Sequence, residues 1–217
     1  MDALDRVAGP ARDLLRRVDG SLLSSGAPAE HPVWPLLRRV GALPGDVLDA
    51  IGGLAPEPLR GAAAELRRLA GEYAARQQEM AVPVTWTGAA AEAYAARWVD
   101  LGAHLGSDAV EESLAGRLCA TAEYLDEVAD WMVSARATLA EALAVVLGSA
   151  EAVALHAKPD ATAAAATMGA RVLDAAATAH DEGHDVHARW AGRLDELQYR
   201  PAAGTTHRPG GTTSVLL

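Results

Sequence analysis

LAGRLCATAEYLDEVADWMVSARATLAEALAVVLGSAEAV, residues 114–153, is the stretch on which the fold turns. Leu114, Leu118, Leu125, Val128, Met132, Ala135, Leu139, Ala142, Val146 and Val153 keep a seven-residue repeat, with Thr121 and Ser149 in two of its slots. Two apolar positions per seven residues draw one stripe along an α-helix, and that stripe must be buried against other helices. The repeat predicts one very long helix of roughly 45 residues, about 70 Å from end to end. Lys158-Pro159-Asp160 closes it, because the residue before a proline avoids helical geometry.

Working outward, Asp160 is placed to cap a last helix from about Ala161 to Gln198, with Met168, Val172, Ala176, Val186, Trp190, Leu194 and Leu197 on its apolar face. Residues 108–198 then form a long antiparallel hairpin turned at Pro159, whose first helix Ser107 or Asp108 can cap. Upstream, Pro58 suits the first turn of another helix that runs to about Met80. Its seam is Leu59, Ala62, Leu66, Leu69, Tyr73 and Met80, and Val82-Pro83 stops it. A further helix starts near Gly88, with Ala91, Tyr94, Trp98, Leu101 and Leu105 on one side, so residues 57–106 read as a short hairpin. At the N-terminus, Leu4, Val7, Ala11, Leu14, Val18 and Leu22 mark a helix over about 2–23, interrupted early by Gly9-Pro10. Short helices over about 35–40 and 45–51 follow, and Gly52-Gly53 ends the second. The expected fold is all-α: antiparallel helical hairpins forming an elongated bundle. Its parts are N-terminal short helices and loop (1–53), the helical bundle (54–198) and a disordered tail rich in Gly, Thr and Pro (199–217).

Composition agrees with helices and narrows function. Half of the chain is apolar but only 4% is aromatic, with no Phe, so Ala, Leu and Val dominate. A net charge of −10 argues against binding a phosphate backbone and gives no attraction to anionic membranes. Lys158 is the sole lysine. Cys119 is the sole cysteine, which rules out an intramolecular disulfide and a multi-cysteine zinc site, and it reads as a small, partly buried helix residue. The first residues carry no apolar leader, and the uncharged run Ala142–Ala150 is too short for a membrane span. The expectation is a protein that stays in the cytoplasm or leaves without a cleavable signal peptide.

Between the two short-hairpin helices stands Trp86-Thr87-Gly88, in the context VPVTWTGAAAEAYAARW. Glycine permits a backbone angle that other residues avoid, and a tryptophan on a turn is a natural anchor for a groove in a neighbour. Helix, W-x-G, helix over about 57–106 resembles the WXG100 (ESAT-6-like) family of type VII secretion proteins and its longer PPE-like and LXG-like relatives in actinobacteria and other Gram-positive bacteria. The resemblance implies a secreted or secretion-associated helical protein without a catalytic site, paired with a second helical protein or with itself. Trp86 and Gly88 would form the partner-binding and export turn. The family's export signal also contains Y-x-x-x-D/E. Here Tyr73 is followed at that spacing by Gln77, Tyr94 by Trp98, Tyr124 by Val128 and Tyr199 by Ala203. The resemblance therefore implies either a partner that supplies the missing half or a cytoplasmic coiled-coil adaptor or chaperone that is never exported.

Other chemistry is sparse. His180, His184 and His187 lie at i, i+4 and i+7, the spacing at which imidazoles on one helix face can hold Zn²⁺, Ni²⁺ or Cu²⁺. Gly183 is expected to weaken the helix there, and the surrounding charges suit a solvated face, so no metal site and no cofactor is expected. Carboxylates such as Glu111, Glu112, Asp126, Glu127 and Asp130 fall mostly off the seam, and no phosphate-cradling glycine motif is present. Trp34, Trp98, Trp131 and Trp190 fall on or beside apolar faces.

Overall fold

The computed structural model describes residues 1–79, 87–106, 110–158 and 161–197. Among them the chain is all-α, as expected: α1 (Ala3–Ser25), α2 (Val33–Val40), α3 (Pro44–Gly52), α4 (Pro56–Glu79), α5 (Ala89–Leu105), α6 (Leu114–Leu147), α7 (Ala150–Ala157) and α8 (Thr162–Glu196), with no strand. The expected tail over 199–217 lies outside the described residues. No single helix among those described is long and apolar enough to cross a membrane.

Two compact units divide the chain, and they cut across the expected boundary at residues 53 and 54. Unit 1 joins Met1–Ala62 to Tyr124–Ala191; unit 2 contains Ala63–Glu123 and the described residues from Gly192 on. In unit 1 the core gathers Leu4, Leu14, Leu15 and Val18 of α1, Leu48 of α3, Leu139, Leu143 and Val146 of α6, Leu155 of α7, and Met168, Val172 and Leu173 of α8. Each such aliphatic side chain, fully withdrawn from water, contributes on the order of 1.5–3 kcal/mol. α6 and α8 run antiparallel there: Glu127 meets Trp190, and Trp131 meets Ala179.

α1 is unbroken through Gly9-Pro10, against the expected interruption. Pro10 forfeits one backbone hydrogen bond, but the turn before it is fastened from both sides. Asp2 and Asp5 form a capping box, each carboxylate accepting the other's backbone N–H at 2.9 Å. Leu4, meanwhile, is fully buried. Arg136, a buried guanidinium on α6, completes the fastening. Its Nε donates to Asp2 at 2.6 Å and its Nη2 to Asp5 at 2.7 Å. Its Nη1 donates to the carbonyls of Gly52 (2.6 Å) and Leu54 (3.2 Å), so the cation sits at the C-terminus of α3, where the helix dipole favours it. The Arg136 hydrogen bond, with the Asp5 N–H behind it, holds the Asp2 carboxyl down to about 2.

The long helix is present as α6, but it ends at Leu147 instead of running on to Lys158. α7 follows after a bend of 57°. Gly148 loosens the backbone. Ser149, which fills a slot of the heptad repeat, acts as a cap: its hydroxyl donates to the Val146 carbonyl (2.8 Å) and accepts from the Ala152 N–H (3.1 Å). The bend brings Ala152 and Leu155 into the core and leaves Val153, which a straight repeat would bury, 71% exposed. At its other end α6 begins at Leu114, where the Ser113 hydroxyl accepts from the Gly116 N–H at 3.0 Å. Ser107 and Asp108, the expected caps, lie outside the described residues.

Candidate functional site

Trp86, the expected anchor, lies outside the described residues, as does the rest of 80–86. Gly88 is described. It precedes α5 with φ of +108°, a region that side chains with a Cβ rarely adopt, and its carbonyl accepts the Glu92 N–H at 3.1 Å. Glycine is therefore what allows α5 to begin at Ala89.

The helices flanking this point are thinly covered. Along α4 the buried residues are Ala63 and Ala70 alone, while Leu59, Leu66 and Leu69 are half-buried and Tyr73 is exposed. Ala62, expected on the seam, is exposed, and its neighbour Ala63 takes the buried position. α5 buries only Ala91. Tyr94 and Trp98, one turn apart, stack with ring centroids 5.4 Å apart and planes 19° apart. Tyr94 and Leu101 are exposed on that same side of α5, and Val99 stands out beside it. Large apolar side chains of α5, Val99 above all, thus remain in contact with water.

The imidazoles of His180, His184 and His187 are all exposed on α8, and no group of three or more His, Cys, Asp or Glu among the described residues is placed to hold a metal ion. Gly183 does not weaken the helix, contrary to expectation. α8 runs straight through it, and the missing side chain makes room for Trp131 of α6. A Cβ at 183 would lie 2.8–2.9 Å from the indole, closer than real contacts allow. The Trp131 Nε1 donates to the Ala179 carbonyl at 2.8 Å, which fixes the ring against the α8 backbone. On the outer side Arg39 donates to Asp181 at 2.5 Å and lowers the pKa of that carboxyl.

The other tryptophans are mostly anchors. Trp190 is buried, packs against Tyr124 at 5.5 Å and donates to Glu127 at 2.9 Å. Trp34 is half-buried and donates to the Pro28 carbonyl at 2.9 Å. Cys119 is half-buried in α6.

Two clefts are acidic. One of about 290 Å³ in unit 2 is lined by Glu111, Glu112, Arg117, Arg193 and Glu196; the other, about 380 Å³ in unit 1, by Glu127, Asp130, Trp131, Glu182, Asp185 and Arg189. Some of their carboxylates are engaged with arginines: Arg193 reaches Glu111 at 2.8 Å, and Arg189 reaches Glu127 at 3.1 Å.

Sequence reasoning missed Arg136 and its two aspartates. The signal was present: one arginine among alanines, beside the seam residue Ala135, is a charge that the helix turns inward. No family model, curated protein or solved structure matches the chain.

Proposed function

We propose that the chain works by binding other helices and not by catalysis, as a WXG100/PPE-like protein of a type VII secretion system. It would serve as an exported substrate or as the helical targeting partner of one. The supporting observation is the exposure of large apolar side chains on the helices that flank the W-x-G triplet in sequence: Val99 and Leu101 on α5 and Tyr73 on α4 are exposed, while only alanines are buried along these helices. A partner helix, from a second protein or a second copy, would remove those side chains from water by laying its own Leu/Ala stripe over them. The left-handed backbone of Gly88 supports a tight start to α5 immediately after the triplet. Trp86 is assigned the anchoring role.

The test is Trp86→Ala in the native host. Export into the medium, or capture of the partner helix, should be lost while far-UV circular dichroism is nearly unchanged. Undiminished export and pairing would remove the assignment. The second reading, a cytoplasmic coiled-coil adaptor or chaperone, is favoured by the lack of Y-x-x-x-D/E after Tyr73, Tyr94, Tyr124 and Tyr199. In that case the wild-type protein pairs with a helical partner but stays with the cells when culture and medium are separated.

A further inference from the structure

We propose that His31 is an acid-operated latch: as the neutral imidazole it holds the turn between α1 and α2 against α8, and protonation of its ring releases that turn. His31-Pro32 leads into α2, whose first residue, Val33, is fully buried. At the start of a helix a backbone N–H has no carbonyl one turn back to donate to, so it needs an acceptor from elsewhere. For Val33 that acceptor is the His31 Nδ1, at 3.1 Å. A ring nitrogen that accepts carries no proton, so the proton of the neutral imidazole sits on Nε2. Nε2 faces the Thr167 hydroxyl oxygen of α8 at 3.4 Å. The Thr167 hydroxyl donates its own proton to the Ala163 carbonyl at 3.0 Å, so towards the ring it accepts. Every proton in the series is thereby assigned: Val33 N–H to Nδ1, Nε2–H to Thr167, Thr167 O–H to Ala163.

Protonation breaks this series at one point. An imidazolium carries a proton on both nitrogens and accepts at neither. Its Nδ1–H then meets the Val33 N–H, donor against donor, and a buried N–H without an acceptor is costly. Glu30 and Arg38 line the same surface hollow as His31, and Arg171 stands one turn beyond Thr167 on α8. Glu30 favours the charged ring and the two arginines oppose it, so the neighbouring charges counter one another and the hydrogen bond decides. Two further contacts of the turn do not depend on the ring: the Trp34 N–H donates to the His31 carbonyl at 3.2 Å, and the Trp34 Nε1 donates to the Pro28 carbonyl at 2.9 Å. The release is therefore local. The first turn of α2 loosens from α8 while the core of unit 1 stays packed.

Amide hydrogen exchange of the full-length chain, corrected for the intrinsic effect of pH, reads the latch at Val33. Protection of that amide should fall about tenfold between about pH 7.5 and about pH 5, the span in which histidine takes up its proton. His31→Asn supplies a carboxamide oxygen that accepts from the N–H two residues on at any pH, so its Val33 protection should stay level across that span. His31→Ala should show the low protection already at neutral pH. Nitrogen NMR shifts of the wild-type ring at neutral pH should place its proton on Nε2. The proposal is overturned if Val33 protection is the same at both pH values, or if it falls as much in His31→Asn. Full protection in His31→Ala at neutral pH, or a ring proton found on Nδ1, overturns it as well.

Discussion

α1 and α4 are nearly equal in length, 23 and 24 residues, and both carry leucines at helical spacing, yet they end in different states. α1 buries seven residues, among them Leu4, Leu14, Leu15 and Leu22; α4 buries two alanines. The α1 stripe meets the aliphatic side chains of α3, α6, α7 and α8, and its first turn is gripped by Arg136. The α4 stripe keeps its leucines half in water. An amphipathic pattern states that a face must be covered, but not by what. Where the chain supplies the cover, the face becomes core; where it does not, the face stays partly in water.

Four substitutions grade this contrast. The largest effect is expected at Arg136. Arg136→Ala strips Asp2, Asp5 and the end of α3 of their shared donor, and the loss of a buried, multiply bonded charge should cost about 3–5 kcal/mol in urea unfolding. A loss below about 1 kcal/mol would mean that the covered region does not depend on this fastening.

Next is a matched pair. Leu143→Ala, in the unit 1 core, should cost about 3 kcal/mol. Leu66→Ala on half-buried α4 should cost about 1 kcal/mol or less. Equal losses would erase the distinction between the two helices.

The smallest effect concerns Asp19, which accepts the Gly45 N–H at 3.0 Å at the start of α3. Burial pushes its carboxyl up to about 6, with the nearby Asp46 charge adding to the rise and the Gly45 N–H opposing it. The folded chain therefore holds this proton more tightly than the unfolded chain. The resulting stability is fully present below the ordinary carboxyl value and is lost as pH rises through about 6. Asp19→Asn should escape that loss, so its urea midpoint should gain on wild type between about pH 4 and pH 7 and stay level below that window. A pH-independent difference would refute the assignment. Asp2 behaves oppositely: its contribution is lost as pH falls towards about 2.

Helix identity was legible in the sequence because burial periodicity and proline punctuation act locally. α2, α3, α4 and α8 start and stop within about two residues of their expected ends. What was not legible depended on partners far along the chain. Pro10 reads as a breaker until Arg136, 134 residues after Asp2, is seen holding the turn before it. Gly183 reads as a weak point until Trp131 is placed against it. Ser149 fits a heptad slot as a tolerated polar residue, and only its two hydrogen bonds show it to be the start of a new helix. Of the expected W-x-G site, Gly88 is explained by its backbone angle, and Trp86 lies outside the described residues.

The elbow at Gly148 and Ser149 also sets a ruler. A 34-residue helix spans about 50 Å, so a straight rod aligned with α6 keeps step with it for that distance and no farther. A longer companion must itself kink or leave the track at Leu147. Replacing Gly148 and Ser149 with alanine removes the Ser149 cap and should let α6 run on past Leu147.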